Sequence, residues 1–277
     1  MIPILISSLL VLGARLSSAH GGLVNYTVGD IWYRGYDPDT PAEDQLGQPW
    51  MVQRSWASID PIFSVTDAGL ACNTPAVAPP SYIPIAAGAN LTAVYWYWLH
   101  PVGPMTVWLA ACGNSDSPDA SCADIADVNA LSFFKIWEGG LIDGTLAEGS
   151  WYQKAFQRWD GTPDLWPVTI PASLRPGTYV VRHEITSLHI ANKPQFYPEC
   201  AHLRVTRGTG DGALPTDGKY YVQFPGAYSM SDPSINIDIY SDAMKNVTVC
   251  CPHHMLVCVD LLMTIELYNP GPPVWMG

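Results

Sequence analysis

A histidine, His20, follows the stretch Arg15-Leu16-Ser17-Ser18-Ala19. Ahead of it, Ile2 to Leu12 form an apolar run too short to span a bilayer, and small residues stand at Ser17 and Ala19, where signal peptidase needs them. The pattern predicts a secretory leader over residues 1–19, cleaved after Ala19, with His20 as the first residue of the mature chain. A terminal histidine offers two nitrogen ligands at once, its α-amine and its ring, and closes a chelate ring on one metal ion. The α-amine titrates near about pH 8, so it gives up its proton to a metal at modest cost. One further imidazole from elsewhere in the chain completes a three-nitrogen, T-shaped set, and nitrogen donors in a tetragonal plane favour Cu(II).

Other residues with chemical potential are few. His100 stands before a proline. Gln195 and Tyr197 are two apart, so in an extended segment both point the same way. Pro198 confines that segment to an edge strand or a strand end, which suits an exposed site. His183 falls on the apolar face of a strand and is expected to be a satisfied core histidine. His189 shares that face at the strand end, where it can reach a site. His202 has no motif around it and is expected to be structural. No pair of carboxylates with motif support stands out, which argues against a hydrolytic glycosidase, and no helical His-Glu-x-x-His is present for a zinc hydrolase.

The elements that must position these residues are strands. Periodicity of two, or short apolar-aromatic runs bounded by Gly, Pro, Asn and Asp, predicts strands over 91–99, 105–112, 132–138, 178–190, 201–207 and 235–240. In the fourth of these, Tyr179, Val181, His183, Ile185, Ser187 and His189 line one face, while Arg182, Glu184 and Thr186 line the other. Long Pro- and Gly-rich loops separate the runs. The sum is an all-β chain, an antiparallel immunoglobulin-like or fibronectin-like β-sandwich whose long loops form a flat active surface. Residues 20–277 are expected to make one catalytic domain.

Composition narrows the partners. Charged residues make up 14% of the chain and the formal net charge is −12, so there is no basic surface for nucleic acid. No second apolar segment of spanning length follows the leader, which predicts a secreted, extracellular protein without membrane attachment, expected to be a monomer. Three sequons, at Asn25, Asn90 and Asn246, agree with export and are expected to be glycosylated. Seven cysteines in an exported chain predict disulfides, with at least one thiol left over.

Several separated segments resemble one family. His20-Gly21, His100-Pro101-Val102-Gly103-Pro104-Met105-Thr106-Val107-Trp108-Leu109-Ala110, Arg182-His183-Glu184-Ile185-Thr186-Ser187-Leu188-His189, Gln195-Phe196-Tyr197-Pro198-Glu199-Cys200 and Phe224-Pro225-Gly226-Ala227-Tyr228 are similar to the fungal cellulose-active lytic polysaccharide monooxygenases. The likeness runs from His20 to about Tyr240 and resumes at Pro270-Gly271-Pro272-Pro273-Val274-Trp275. It implies one copper per chain, bound by a brace of His20 and His100 with Tyr197 as a weak axial ligand. His189 and Gln195 would stand behind that set, hydrogen-bonding to position the oxygen species, and His189, Gln195 and Tyr197 would be the catalytic residues.

The implied activity is that of a monooxygenase or peroxygenase that oxidatively cleaves β-1,4-glucan. Its partners would be cellulose or a related β-glucan, dioxygen or hydrogen peroxide, and an external electron donor such as a small phenol or a flavocytochrome. Stacking on a crystalline polymer needs exposed aromatic rings. Tyr228 in the matching segment is the first candidate, with Tyr33 and Tyr36 extending the platform. The resemblance also pairs Cys72 with Cys200, and Cys112 with Cys122, close in sequence, forms the natural second pair. A non-catalytic copper- or carbohydrate-binding β-sandwich is the alternative; it would lack Gln195, His189 and Tyr197 as a set.

One stretch departs from the family pattern. Cys250, Cys251, His253, His254 and Cys258 lie within an apolar segment where the family has a short connection. Two thiols and two imidazoles so close together suit zinc or a second copper. Exposed apolar residues and unpaired thiols suit a secreted protein poorly, and residues 246–267 are expected to be an atypical insert, a translated intron kept in frame.

Overall fold

The computed structural model describes residues 21–249, 257–258 and 269–277. His20 and the leader lie outside these residues, as do Cys250, Cys251, His253 and His254.

Along the chain the strands are β1 (Leu23–Val28), β2 (Ile31–Arg34), β3 (Ile83–Ala86), β4 (Asn90–Tyr95), β5 (Met105–Ala111), β6 (Phe133–Gly139), β7 (Leu141–Asp143) and β8 (Ser150–Trp151). A one-turn helix α1 (Tyr152–Phe156) follows, then β9 (Asp164–Thr169), β10 (Gly177–Ser187), β11 (Gln195–Thr206), β12 (Tyr221–Val222), β13 (Thr248–Val249) and β14 (Val257–Cys258). Two sheets face each other. The smaller runs β2-β1-β4-β9 and the larger β12-β6-β5-β10-β11-β3. All pairs within them are antiparallel except β3 with β11. This is the all-β sandwich that the period-two patterning predicts.

The core lies where alternation dictates. Leu23, Tyr26, Leu91, Ala93, Tyr95, Trp166 and Val168 point inward from the smaller sheet and meet Met105, Val107, Leu109, Tyr179, Val181 and Ile185 from the larger. β10 is buried at every position, because its other face is covered too. There Val180 joins a second apolar cluster with Trp108, Phe196, Phe224 and Tyr228 beneath the long loops. Arg182 and Glu184 pair within this second layer. Arg182 Nε also donates to the Ala71 carbonyl at 2.8 Å, and its guanidinium lies 3.7 Å from the Phe224 ring. Two disulfides fasten the loops to this layer, Cys72–Cys200 and Cys112–Cys122.

Two expected strands differ from the structure. Residues 235–240 form turns, not a strand. Ile235, Ile237 and Ile239 are buried, but each fills a gap beneath loops, and alternation alone cannot distinguish that from a sheet. The run 91–99 is a strand only to Tyr95, after which the chain leaves the sheet to carry Trp98 and His100. Pro198 sits inside β11 rather than at its end, opposite Glu184. It is tolerated because β3 joins β11 only from Leu203 onward, leaving residues 195–202 at the sheet edge apart from isolated bridges at Phe196 and Ala201.

Candidate metal centre

The antiparallel pairing of β10 and β11 sets one end of the larger sheet. Ser187 lies opposite Gln195 and Ile185 opposite Tyr197, so His189, just past β10, rises beside the first residues of β11. The loop 96–104 is brought to the same end by a short extension of the β5–β10 pairing. Thr186 N–H donates to the Pro104 carbonyl at 2.9 Å and Leu188 N–H to the Val102 carbonyl at 3.0 Å. Gly103 makes this approach possible. Its φ is +126°, and a Cβ there would lie 2.0 Å from the Thr186 carbonyl oxygen.

The result is a compact group of side chains. The His100 and His189 rings stack with centroids 4.1 Å apart and planes at 9°. Ser187 Oγ and His189 Nδ1 are 2.7 Å apart, which fixes the ring's rotation. The Tyr197 hydroxyl donates to Gln195 Oε1 at 2.7 Å and lies 3.4 Å from His100 Nε2. Trp98 stands edge-on to both His100 (5.3 Å) and Tyr197 (4.8 Å). Tyr197 and Gln195 are buried at 3% and 4% exposure, whereas both histidines are half-buried at the surface. Burial, and secondarily the carboxylates of Asp60 and Glu199, push the Tyr197 phenol well above its ordinary pKa, so it is a neutral hydroxyl.

Sequence reasoning missed the residues that hold this group. Gln153 in α1 is fully buried; it accepts from Trp98 Nε1 at 3.1 Å and donates to the Thr186 carbonyl at 2.8 Å. Gln157 donates to the His100 carbonyl at 3.1 Å, and Asp164 accepts from the Arg158 N–H at 2.5 Å. A single glutamine in a five-residue helix carries no one-dimensional signal of this kind. The described chain begins in the same place. Gly21 packs so closely on the Tyr97 carbonyl that a Cβ would lie 1.5 Å from its oxygen.

The donor types fit a borderline N/O metal such as copper: an imidazole nitrogen and a neutral phenol oxygen, with a carboxamide behind the phenol. Among the described residues no group of three or more His, Cys, Asp or Glu side chains could hold a metal ion. The set present therefore needs further nitrogen donors, which a terminal histidine preceding Gly21 would supply.

The other expectations divide. His183 is buried as expected, against Tyr26 and Trp166, but neither ring nitrogen has a hydrogen-bond partner among the described residues; it is packed, not satisfied. Burial holds it neutral, lowering its pKa to about 3. His202 is structural, close to Tyr82, and burial likewise lowers it to about 3. The aromatic platform is corrected. Tyr228 is 5% exposed, stacks on Phe196 and donates to Glu184 at 2.5 Å, so it has no face for a polymer. Tyr36 is 7% exposed, in a cluster with Val24, Met51 and Trp56. Tyr33 points inward from β2, packed on the sandwich core. Exposed rings among the described residues lie elsewhere: Trp32, Phe63, Trp96, Trp159 and Tyr240.

Fold and cluster together define a class: an antiparallel β-sandwich that presents imidazole, phenol and carboxamide at one end of its larger sheet, beside the start of the described chain. Residues 20–248 match the model of Auxiliary Activity family 9 (formerly GH61). The chain belongs to this family, the fungal lytic polysaccharide monooxygenases. It is 38% identical to lytic polysaccharide monooxygenase B of Heterobasidion irregulare over all of this chain and 99% of that one. It is also 38% identical to the monooxygenase-like protein CEL1 of Agaricus bisporus, over 84% of this chain and 69% of that one. Among solved structures, HiLPMO9B superposes with a TM-score of 0.75 at 36% identity, over 93% of this chain and all of that one. A cellulose-active polysaccharide monooxygenase from M. thermophila does so with 0.72 at 30%, over 93% and 100%. The family's enzymes depend on copper, are secreted, and cleave polysaccharides oxidatively with dioxygen or hydrogen peroxide and a reductant.

Proposed function

We propose that this chain is a secreted copper monooxygenase that oxidatively cleaves β-1,4-glucan, with cellulose as its substrate and one copper held by His20, His100 and Tyr197. The observation that carries this is the convergence of His100 Nε2 and the Tyr197 hydroxyl, 3.4 Å apart, beside Gly21. The match to the family begins at residue 20, which supports a leader over 1–19 and a mature His20. Residues 20–277 would then be one catalytic domain, with 246–267 an insert of the kind a retained intron leaves; the family match ends at 248.

Copper, once reduced by an external donor, would supply the activation of dioxygen or hydrogen peroxide. The chain's own residues orient and supply protons. Gln195 accepts the phenol proton of Tyr197 and so aims its oxygen lone pairs toward His100. Ser187 fixes His189 in the plane stacked on His100, placing an ionisable ring where it can give or take a proton at the site. Of the exposed rings, Phe63 and Trp159 are the candidates to meet a sugar face, a reading their exposure supports.

The test begins with N-terminal sequencing of the secreted protein, followed by Cu(II) titration with electron paramagnetic resonance. A mature His20 and one axial signal with nitrogen coupling are expected. Reductant-dependent release of oxidised oligosaccharides is then compared on cellulose, xyloglucan and mixed-linkage glucan. Copper binding without oxidation on any of them would return the chain to the class of binding modules.

A further inference from the structure

The outward face of the smaller sheet carries features that the oxidative site does not use. Strand register sets rows across it. Arg34, Asn25, Val94 and Leu165 form one row, and Trp32, Thr27, Thr92 and Pro167 the next. The residues between them, Tyr26, Ala93 and Trp166, are fully buried in the core, so these rows lie on the outer side of the sheet, where Val94 is itself only 1% exposed. Two sequons share this face, Asn25-Tyr26-Thr27 on β1 and Asn90-Leu91-Thr92 on β4, and their threonines are direct cross-strand partners. A sequon ordinarily marks a surface loop; these two stand on strands.

At the edge of the sheet β2 leaves Trp32 61% exposed on this face, and Ile31, which alternates to the other side, 60% exposed. An edge strand with two large apolar side chains bare is a template for association unless it is covered. Trp32 is the diagonal neighbour of Asn25 on the same face, and diagonal pairs lie ~7–8 Å apart, within reach of an aromatic ring. Arg34, directly opposite Asn25, has its guanidinium over the Trp50 ring at 4.2 Å.

We propose that Asn25 carries an N-linked oligosaccharide whose first N-acetylglucosamine lies on the Trp32 indole, so that the chain's own glycan covers this face and its edge strand. In the modification, Asn25 Nδ2 forms a bond to C1 of the sugar while the C1–O bond to a lipid diphosphate donor breaks. The amide loses one proton and the diphosphate leaves with the electron pair. The apolar face of the sugar ring then meets the indole as it would in any carbohydrate site. The proposal rests on export of the chain, because the donor belongs to the secretory pathway.

The experiment uses the secreted full chain. Peptide mass spectrometry reads the occupancy of each sequon, and hydroxyl-radical footprinting reads the oxidation rate of Trp32 against that of Trp159, which is 72% exposed. Asn25 is expected to be occupied, with Trp32 oxidised several-fold more slowly than in Asn25→Gln or Thr27→Val. Trimming the glycan to its first sugar should keep that protection. Enzymatic release of the whole glycan from the folded protein, which hydrolyses the side-chain amide and leaves aspartate at position 25, should abolish it. Asn90→Gln should leave Trp32 unchanged. An empty Asn25 beside an occupied Asn90 overturns the proposal and leaves export standing, as does an occupied Asn25 with Trp32 oxidised at the variants' rate. A retained leader with no sequon occupied overturns both.

Discussion

Tyr197 and Gln195 show how much one hydrogen bond decides at this site. The phenol needs its proton directed at Gln195 for its oxygen to face His100, and burial ensures that the proton stays. Loss of a group that orients a metal ligand commonly costs ~10–100-fold, and we expect Gln195→Ala to lower the rate of soluble oxidised product by that much. Two other histidines make a prediction about stability. His183 and His202 are depressed to about 3 by burial, against about 6.5 when unfolded. Below that unfolded value the unfolded chain binds protons that the folded chain refuses. Stability therefore falls as pH drops from about 6.5 toward about 3, by about 1.4 kcal/mol per pH unit for each ring. Urea midpoints between pH 7 and 4 should show a shallower slope in His202→Gln. Comparing variants separates the histidines from Glu199, whose carboxyl is raised by burial and which acts in the opposite sense.

Elements bring these side chains together, and two joints carry the placement. At Gly103 the backbone adopts a conformation that L side chains rarely enter, and any Cβ there would overlap the Thr186 carbonyl oxygen at 2.0 Å. Gly103→Ala is expected to cost at least ~1–3 kcal/mol from backbone strain alone and to weaken Cu(II) binding, as calorimetry on the folded fraction would show. Gln153 ties three segments at once; Gln153→Ala leaves the Thr186 carbonyl and the Trp98 N–H short of partners, at a cost of ~1–3 kcal/mol in denaturant unfolding. The disulfides differ in reach. Cys72–Cys200 spans 128 residues and Cys112–Cys122 spans 10, so loop-closure entropy assigns about 5 kcal/mol to the first and about 3 to the second. Breaking Cys72–Cys200 by paired Ala substitutions should lower the melting temperature more than breaking the other.

For the whole molecule, the acidic balance and the sandwich fold suit a protein that works outside the cell on a neutral polymer. Copper should bind only the folded form, because the donors proposed for it, His20, His100 and Tyr197, are far apart in the sequence. Metal at 100 times its dissociation constant then adds ~2.7 kcal/mol. The copper-loaded protein should melt above the chelated one, and His100→Ala should show no such gap by scanning calorimetry.

What the sequence by itself determined was local. Period-two alternation located β4, β5, β6, β10 and β11, because a strand's facing follows from neighbours two apart. Similarity of separated motifs marked His100, His189, Gln195 and Tyr197, and the structure brings these four into contact. Alternation failed at 235–240, where three buried isoleucines fill loop gaps. Only the tertiary structure decided which aromatic rings face solvent. Tyr228 looks like a platform residue in its motif, yet a second apolar layer covers the larger sheet and buries it beside Phe196 and Glu184. Nor could the sequence reveal Gln153 as the clamp, or Trp32 as the neighbour of Asn25. Both depend on partners 30 or more residues away or on pairing register, and long-range contact leaves no periodic trace in the chain.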